Sequence, residues 1–229
     1  MPDTKLTPAA LREHIRKYAW VYLIGIAVCL LGTSLLWTTT EPRPTNEQTV
    51  TIYLADVGSN PEPLAPVARK ALEALRDEFP DIRVVEFQSL NYMEEDYTSS
   101  MVLLTRLAVG ECDAFLCSQA VMDALVQSEA LEDLAPRLDA GWMADVDLQP
   151  YVAEHVDDET DERYTLTAGL KLDSVNALYD MRAFYNDGAY LCVTTNGGNV
   201  DSTLRALEII MKDLTEGDYA QSEATEPAA

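Results

Sequence analysis

Apolar residues are distributed along this chain in three ways, and each predicts a different kind of element. From Ala19 to Trp37 they run for 19 residues without a charge, AWVYLIGIAVCLLGTSLLW. Farther on they gather in short β-branched and aromatic runs. TVTIYLA (49–55), IRVVEFQ (82–88), DAFLC (113–117) and AYLCVTT (189–195) read as strands, and YTLTAGL (164–170) has the composition of another. Between these runs the spacing is helical. Val67 or Ala68, Ala71, Leu72, Leu75 and Phe79 line one face of a stretch ended by Pro80. Within 94–109, Met101, Leu104 and Ala108 share a face behind the acidic start Glu94, Glu95 and Asp96, where negative charge suits a helix dipole. AVMDALVQ (120–127) and a segment carrying Leu204, Leu207, Met211 and Leu214 follow the same period, and SVNALYDMRAF (174–184) reads as helical in part.

Strand and helix thus alternate three times, with helices long enough to be right-handed crossovers over a parallel sheet. The fold class expected is α/β: a single three-layer domain over 49–214 with a mostly parallel sheet, preceded by one transmembrane helix. Residues 39–48 form a polar, proline-bearing linker and 215–229 a polar tail that reads as disordered.

The uncharged run supports a membrane span over 18–38. At about 1.5 Å rise per residue it is just long enough for a hydrocarbon core of roughly 30 Å. Trp20, Tyr22 and Trp37 stand near its ends, where amphipathic rings favour the interface. Arg16 and Lys17 precede it, so the positive-inside rule makes residues 1–17 cytoplasmic and the C-terminal domain extracytoplasmic, in a bacterial cell membrane. A cleaved signal peptide is the rival reading; its apolar region would be long, and no A-x-A site follows Trp37. Cys29 lies mid-span behind Val28, where a lipoprotein cysteine needs a small residue.

Charge narrows the partners. The net charge is −23, and Lys5, Arg12, Arg16 and Lys17 against Asp3 and Glu13 give residues 1–37 a balance of +2, leaving −25 on the remainder. Such a surface repels phosphate backbones, so no nucleic acid is expected among the partners.

Four segments together resemble the type 2 periplasmic solute-binding protein family: RDEFPDIRVVEF (76–87), LAVGECDAFLCS (107–118), ALVQSEALEDLAP (124–136) and GAYLCVTTNGGNVDSTLRALEIIM (188–211). In the second, Asp113 takes the family's usual acidic place; in the third, Ala130 stands where glycine is common. The resemblance implies the first lobe of a binding protein. Family members enclose ligand between two lobes, whereas about 50 residues between Pro136 and Gly188 are too few for a second α/β lobe.

In an open parallel sheet, ligands bind beyond the carboxyl ends of the strands. The loops after the first three strands offer Asp56, Ser59 and Asn60; Ser89, Asn91 and Tyr92; and Ser118 and Gln119. These hydroxyls, amides and one phenol suit a small polar ligand or a peptide, and the same residue types also cap helices and close turns. Cys112 and Cys117 lack zinc-knuckle spacing and a nearby histidine, so neither a metal nor another cofactor is expected. A Cys117–Cys192 disulfide is compatible with an oxidising compartment, as are buried free thiols. VDDETDER (156–163) reads as a solvated acidic loop; Glu162 occupies the position where a calcium loop needs glycine. No H-E-x-x-H, G-x-S-x-G, P-loop or G-x-G-x-x-G occurs, so catalysis is not expected. The function expected is non-enzymatic binding of a small molecule, peptide or partner protein. The alternatives are a structural or assembly subunit of a membrane complex, using the lobe face as a protein interface, and a divergent hydrolase.

Overall fold

A single long helix, α1 (Pro8–Thr40), occupies the first part of the chain. The computed structural model describes residues 8–40, 44–93, 96–156, 163–217 and 219. The stretch His14–Trp37 of α1 is long and apolar enough to cross a membrane. Its large apolar side chains, including Leu23, Ile24, Leu30 and Leu31, are exposed. The Thr33 hydroxyl donates back to the Cys29 carbonyl at 2.8 Å, which satisfies that polar group within the helix.

Pro44–Ala229 form a second unit. A 3-10 turn at Asn46–Gln48, with Thr45 as its cap, leads into β1 (Thr49–Ala55). The β-branched and aromatic run of β1 is almost wholly buried, because it lies inside the sheet with a strand on each side. Helix α2 (Ala65–Leu75) carries the chain to β2 (Val84–Leu90), parallel to β1. Helix α3 (Tyr97–Val109) then crosses to β3 (Ala114–Ser118), parallel to β1 on its other side. Helix α4 (Gln119–Gln127) follows directly, and α5 (Ala135–Asp139) is a short turn of helix. The remaining elements are β4 (Pro150–Val156), β5 (Arg163–Lys171), α6 (Ala177–Asp180), β6 (Ala189–Val193) and α7 (Val200–Glu216).

The six strands run in the order β2-β1-β3-β6-β5-β4. Only β2, β1 and β3 are mutually parallel; β6, β5 and β4 each pair antiparallel. The expectation of a mostly parallel sheet is therefore corrected to a mixed one. The physical reason is the connection. The first three strands are joined by helical crossovers, which preserve direction, whereas β4 and β5 reverse on each other and deliver β6 antiparallel to β3. Strand β4 escapes the sequence reading because it is an edge strand opening on Pro150 and alternating exposed Val152 with buried Ala153.

Helices cover both faces of the sheet, giving three layers. On one face Ile52, Leu54, Leu116 and Leu191 pack with Ala71 and Leu75 of α2 and with Leu207 and Met211 of α7. On the other, Tyr53, Phe115, Cys117 and Cys192 pack with Leu103 and Leu107 of α3 and with Val121 and Leu125 of α4. The apolar stripe that periodicity picks out on α3 is not the side that faces the sheet. Ser99, Leu103 and Leu107 are buried, and Met101, Leu104 and Ala108 are exposed. The segments 1–7 and 41–43, most of the acidic loop 156–163 and nearly all of the tail beyond Glu216 lie outside the described residues.

Candidate functional site

The two ends of the parallel strands are built differently. At the amino end, Gly110 closes α3 in the left-handed conformation at φ 69°, and the chain turns through Glu111 and Cys112 into buried Asp113. The Asp113 carboxylate accepts a hydrogen bond from the Thr51 amide at 2.8 Å, and its own amide donates to the Thr51 carbonyl at 3.1 Å. The Thr194 amide donates to the Asp113 carbonyl at 3.0 Å. Gly197 presses against this carboxylate so closely that a Cβ there would lie 2.6 Å from Oδ1. Burial raises the Asp113 carboxyl to about 6, against the pull of the Thr51 amide. Asp113 thus locks the turn entering β3, at the end of the sheet opposite the loop after β1.

Nearby, Arg106 donates to the Tyr53 hydroxyl at 2.6 Å and pairs with Glu111 at 3.1 Å. Tyr53 in turn donates to Gln88 at 2.9 Å. Burial, then the neighbouring Cys112, pushes the Tyr53 phenol up to about 12. Burial likewise holds Cys112 at about 12, so this thiol stays protonated and unreactive.

At the carboxyl end the loops part to form a cavity of about 340 Å³. One wall is the loop after β1, Asp56 to Ser59; the other is Tyr179, Asp180 and the run Arg182 to Tyr185 after α6. The Asn60 amide donates to the Ala183 carbonyl at 2.8 Å and pins the walls together. Tyr179 and Tyr185 present exposed rings whose centroids lie 6.0 Å apart in an edge-on arrangement. Arg182 holds a left-handed backbone at φ 55°, a position glycine or asparagine takes at low cost after a helix.

The expected site residues divide. Asp56 and Ser59 line the cavity. Ser59 spends its hydroxyl on the Leu54 carbonyl at 3.0 Å, and Asp56 accepts from the Val57 amide at 2.7 Å. Asn60 caps the following turn through the Glu62 amide. Tyr92 is buried in the second core cluster, and Ser89 and Asn91 are exposed outside the cavity. Ser118 is the N-cap residue of α4. Gln119 donates to Asp123 at 2.7 Å and to Tyr151 at 3.2 Å, and accepts from Tyr190, whose ring lies 4.7 Å from that of Tyr151. Tyr190 has its phenol raised by burial and by Tyr151.

Sequence reading missed Tyr179, Arg182 and Tyr185. The available signal was three aromatic residues and an arginine packed into seven positions, Tyr179 to Tyr185, just before a strand.

Cys112, Cys117 and Cys192 are free thiols. The register sets Cys117 opposite Tyr190 and Cys192 opposite Phe115, so the two strand cysteines are diagonal neighbours. Both stand as free thiols, and their side chains are hydrogen-bonded to each other. Among the described residues no cluster of three or more His, Cys, Asp or Glu could hold a metal.

Compared with known proteins, the chain matches no family model, no curated protein and no solved structure.

Proposed function

We propose that this chain is a membrane-anchored, extracytoplasmic binding module, related to one lobe of the type 2 solute-binding proteins, that takes a small polar ligand or peptide side chain without chemistry. The observation that carries the reading is the cavity of about 340 Å³ at the carboxyl end of β1, on the side of the sheet where open α/β folds bind ligands. Its wall of two tyrosine rings offers apolar faces for stacking, while Arg182, Asp56 and Asp180 offer charge and hydrogen bonds at the rim. The cavity lining contains no histidine or cysteine, and Ser59 is turned to a backbone carbonyl, which favours binding over nucleophilic catalysis. The bacterial cell membrane, the cytoplasmic N-terminus and the external domain belong to this proposal; their support is the apolar helix and the Arg16–Lys17 flank.

A thermal-shift screen of residues 44–219 against sugars, amino acids and short peptides tests it. A ligand at 100 times its Kd stabilises by about 2.7 kcal/mol through mass action. A specific ligand is expected to raise the melting temperature, and the double variant Tyr179→Ala/Arg182→Ala to abolish the rise. No response across a broad library sinks the receptor reading. A second reading, an assembly subunit that docks protein in place of a free ligand, draws support from the exposed apolar stripe on α3.

A further inference from the structure

A further cavity opens toward the amino ends of the parallel strands. The alternation of side chains divides β1 and β2 between two surfaces. One surface buries Val50, Ile52, Val85 and Phe87 with α2. The other carries Thr49, Thr51 and Tyr53 beside Val84, Glu86 and Gln88, paired in that order by the parallel register. Of these six, Tyr53 belongs to the core formed with α3. Above the rest lies a space of about 390 Å³, walled by Arg106 of α3 and by Gly110, Glu111 and Asp113 of the turn that follows.

A polar floor at the flank of a sheet needs no ligand. This one is set apart by its charge and by its unused acceptors. Arg106 brings a positive charge to the cavity, and Glu111 engages it at 3.1 Å. Glu86 is met by the neutral Gln88 amide at 2.6 Å, and Asp113 by the Thr51 amide at 2.8 Å. Among the described residues neither of these two carboxylates has a cation against it. Two acidic groups thus line one space without a counter-charge.

Thr51 and Asp113 are also deeply set, at 7 % and 5 % exposed. Yet among the described residues the Thr51 hydroxyl and the second Asp113 oxygen, Oδ1, accept from no donor. Neither atom is sealed off. Among the described residues, the sealed side-chain polar atom without a partner is the Thr203 hydroxyl. The Thr51 and Asp113 acceptors open on the cavity that both residues line.

The register sets the acceptors in a row. Thr51 lies beside Glu86, and the pairing of Ile52 with Ala114 makes Asp113 the neighbour of Thr51 on its other side. Strands stand about 4.8 Å apart, so the two acidic residues are roughly 10 Å apart along the backbone row, with the hydroxyl between them. A divalent metal needs its oxygens gathered at one point. Among the described residues no three His, Cys, Asp or Glu are gathered in that way. An ammonium group suits a row of acceptors: it carries a single positive charge and three N–H donors that point apart. The space leaves room for a small organic substituent behind it.

We infer that this cavity binds a small organic primary amine in its ammonium form, seated over Thr51 between Glu86 and Asp113. The site is separate from the cavity beside Tyr179 and does not depend on the function proposed for that one. The net charge of −23 supports it by concentrating cations around the domain.

The test uses the full chain in dodecyl maltoside micelles. Ethylammonium, butylammonium and benzylammonium are titrated by calorimetry at about 0.15 M salt, which screens diffuse attraction. At least one of them is expected to bind saturably at a single site. Tetramethylammonium, which has the charge and no N–H, is expected to bind about tenfold more weakly or not at all. Glu86→Gln and Asp113→Asn each keep an acceptor and remove a charge, and each is expected to weaken the primary ammonium by about tenfold or more. Melting temperature reports whether these variants fold. Thr51→Val, which keeps the volume and removes the hydroxyl, replaces either one that melts early. The double variant Tyr179→Ala/Arg182→Ala is expected to leave the affinity unchanged. Heats that never saturate, equal binding of tetramethylammonium, or full affinity in the folded floor variants overturns the inference. Loss of binding in Tyr179→Ala/Arg182→Ala overturns it as well, since the amine would then occupy the other cavity.

Discussion

The two faces of the sheet are covered by helices of opposite design. Helix α7 buries Leu204, Ala206, Leu207, Ile210, Met211 and Leu214, and its outer side holds ion pairs to the rest of the domain: Arg205 with Glu78 at 3.1 Å and Lys212 with Asp145 at 3.0 Å, together with Asp213 and Lys70. Exposed pairs of this kind contribute about 0–1 kcal/mol each, so the helix is held chiefly by its apolar side. Helix α3 buries three side chains, one of them a serine, and shows its apolar stripe to solvent. Beneath α7 the sheet is aliphatic. Beneath α3 it carries Tyr53, Asp113 and three cysteines. One face is therefore built for stability, and the other tolerates polar groups and leaves surface to spare.

The largest test of that contrast is truncation on the aliphatic face. Leu207 has no solvent exposure, and Leu207→Ala removes its methyl groups and leaves a cavity. A loss of about 2–5 kcal/mol is expected in urea denaturation of residues 44–219. A loss under about 1 kcal/mol would mean that α7 docks loosely and that the two faces are alike.

On the polar face, Asp113 makes stability depend on pH with an unusual sign. Its folded value of about 6 lies above the ordinary 3.8, so between these values the folded chain keeps a proton that the unfolded chain has lost. This group's contribution therefore favours folding most at the acid end and declines as pH rises through 6. The decline amounts to at most about 3 kcal/mol, at 1.36 kcal/mol per unit. Asp113→Asn keeps an acceptor for the Thr51 amide and cannot titrate. Its stability relative to wild type is expected to climb between pH 4 and 7. A constant difference over that range would show that the carboxylate is solvated and the polar face wetter than described.

The smallest effect is expected on the exposed stripe. Leu104→Ala should change the stability of the domain by less than about 0.5 kcal/mol, measured by urea denaturation. A loss comparable with that of Leu207→Ala would place Leu104 in the core and end the contrast between the helices.

Much of the architecture was legible. The strand run TVTIYLA coincides with β1, and the spacing of Leu204, Leu207, Met211 and Leu214 marks the buried side of α7, because burial imposes periods of 2.0 and 3.6 directly on the chain. Helix α3 shows where the rule stops. Periodicity finds apolar stripes, and it does not say whether the sheet or another body covers them. The candidate site was half legible for a similar reason. Asp56 and Ser59 could be found from the topology rule for strand ends, whereas Tyr179, Arg182 and Tyr185 come from a segment more than a hundred residues away, joined to the first loop through the Asn60 amide.

The sequence alone therefore determined local matters: an apolar helix able to span a membrane, the alternation of strands and helices, and the small residues at the turn into β3. These follow from hydrophobicity and backbone preference, which act between near neighbours. Tertiary structure decided the direction of β6, β5 and β4, the diagonal setting of Cys117 and Cys192, the cavity walls and the exposure of the α3 stripe. Each of these depends on which distant segments meet, and that is settled by how the whole chain buries its apolar surface at least conformational cost.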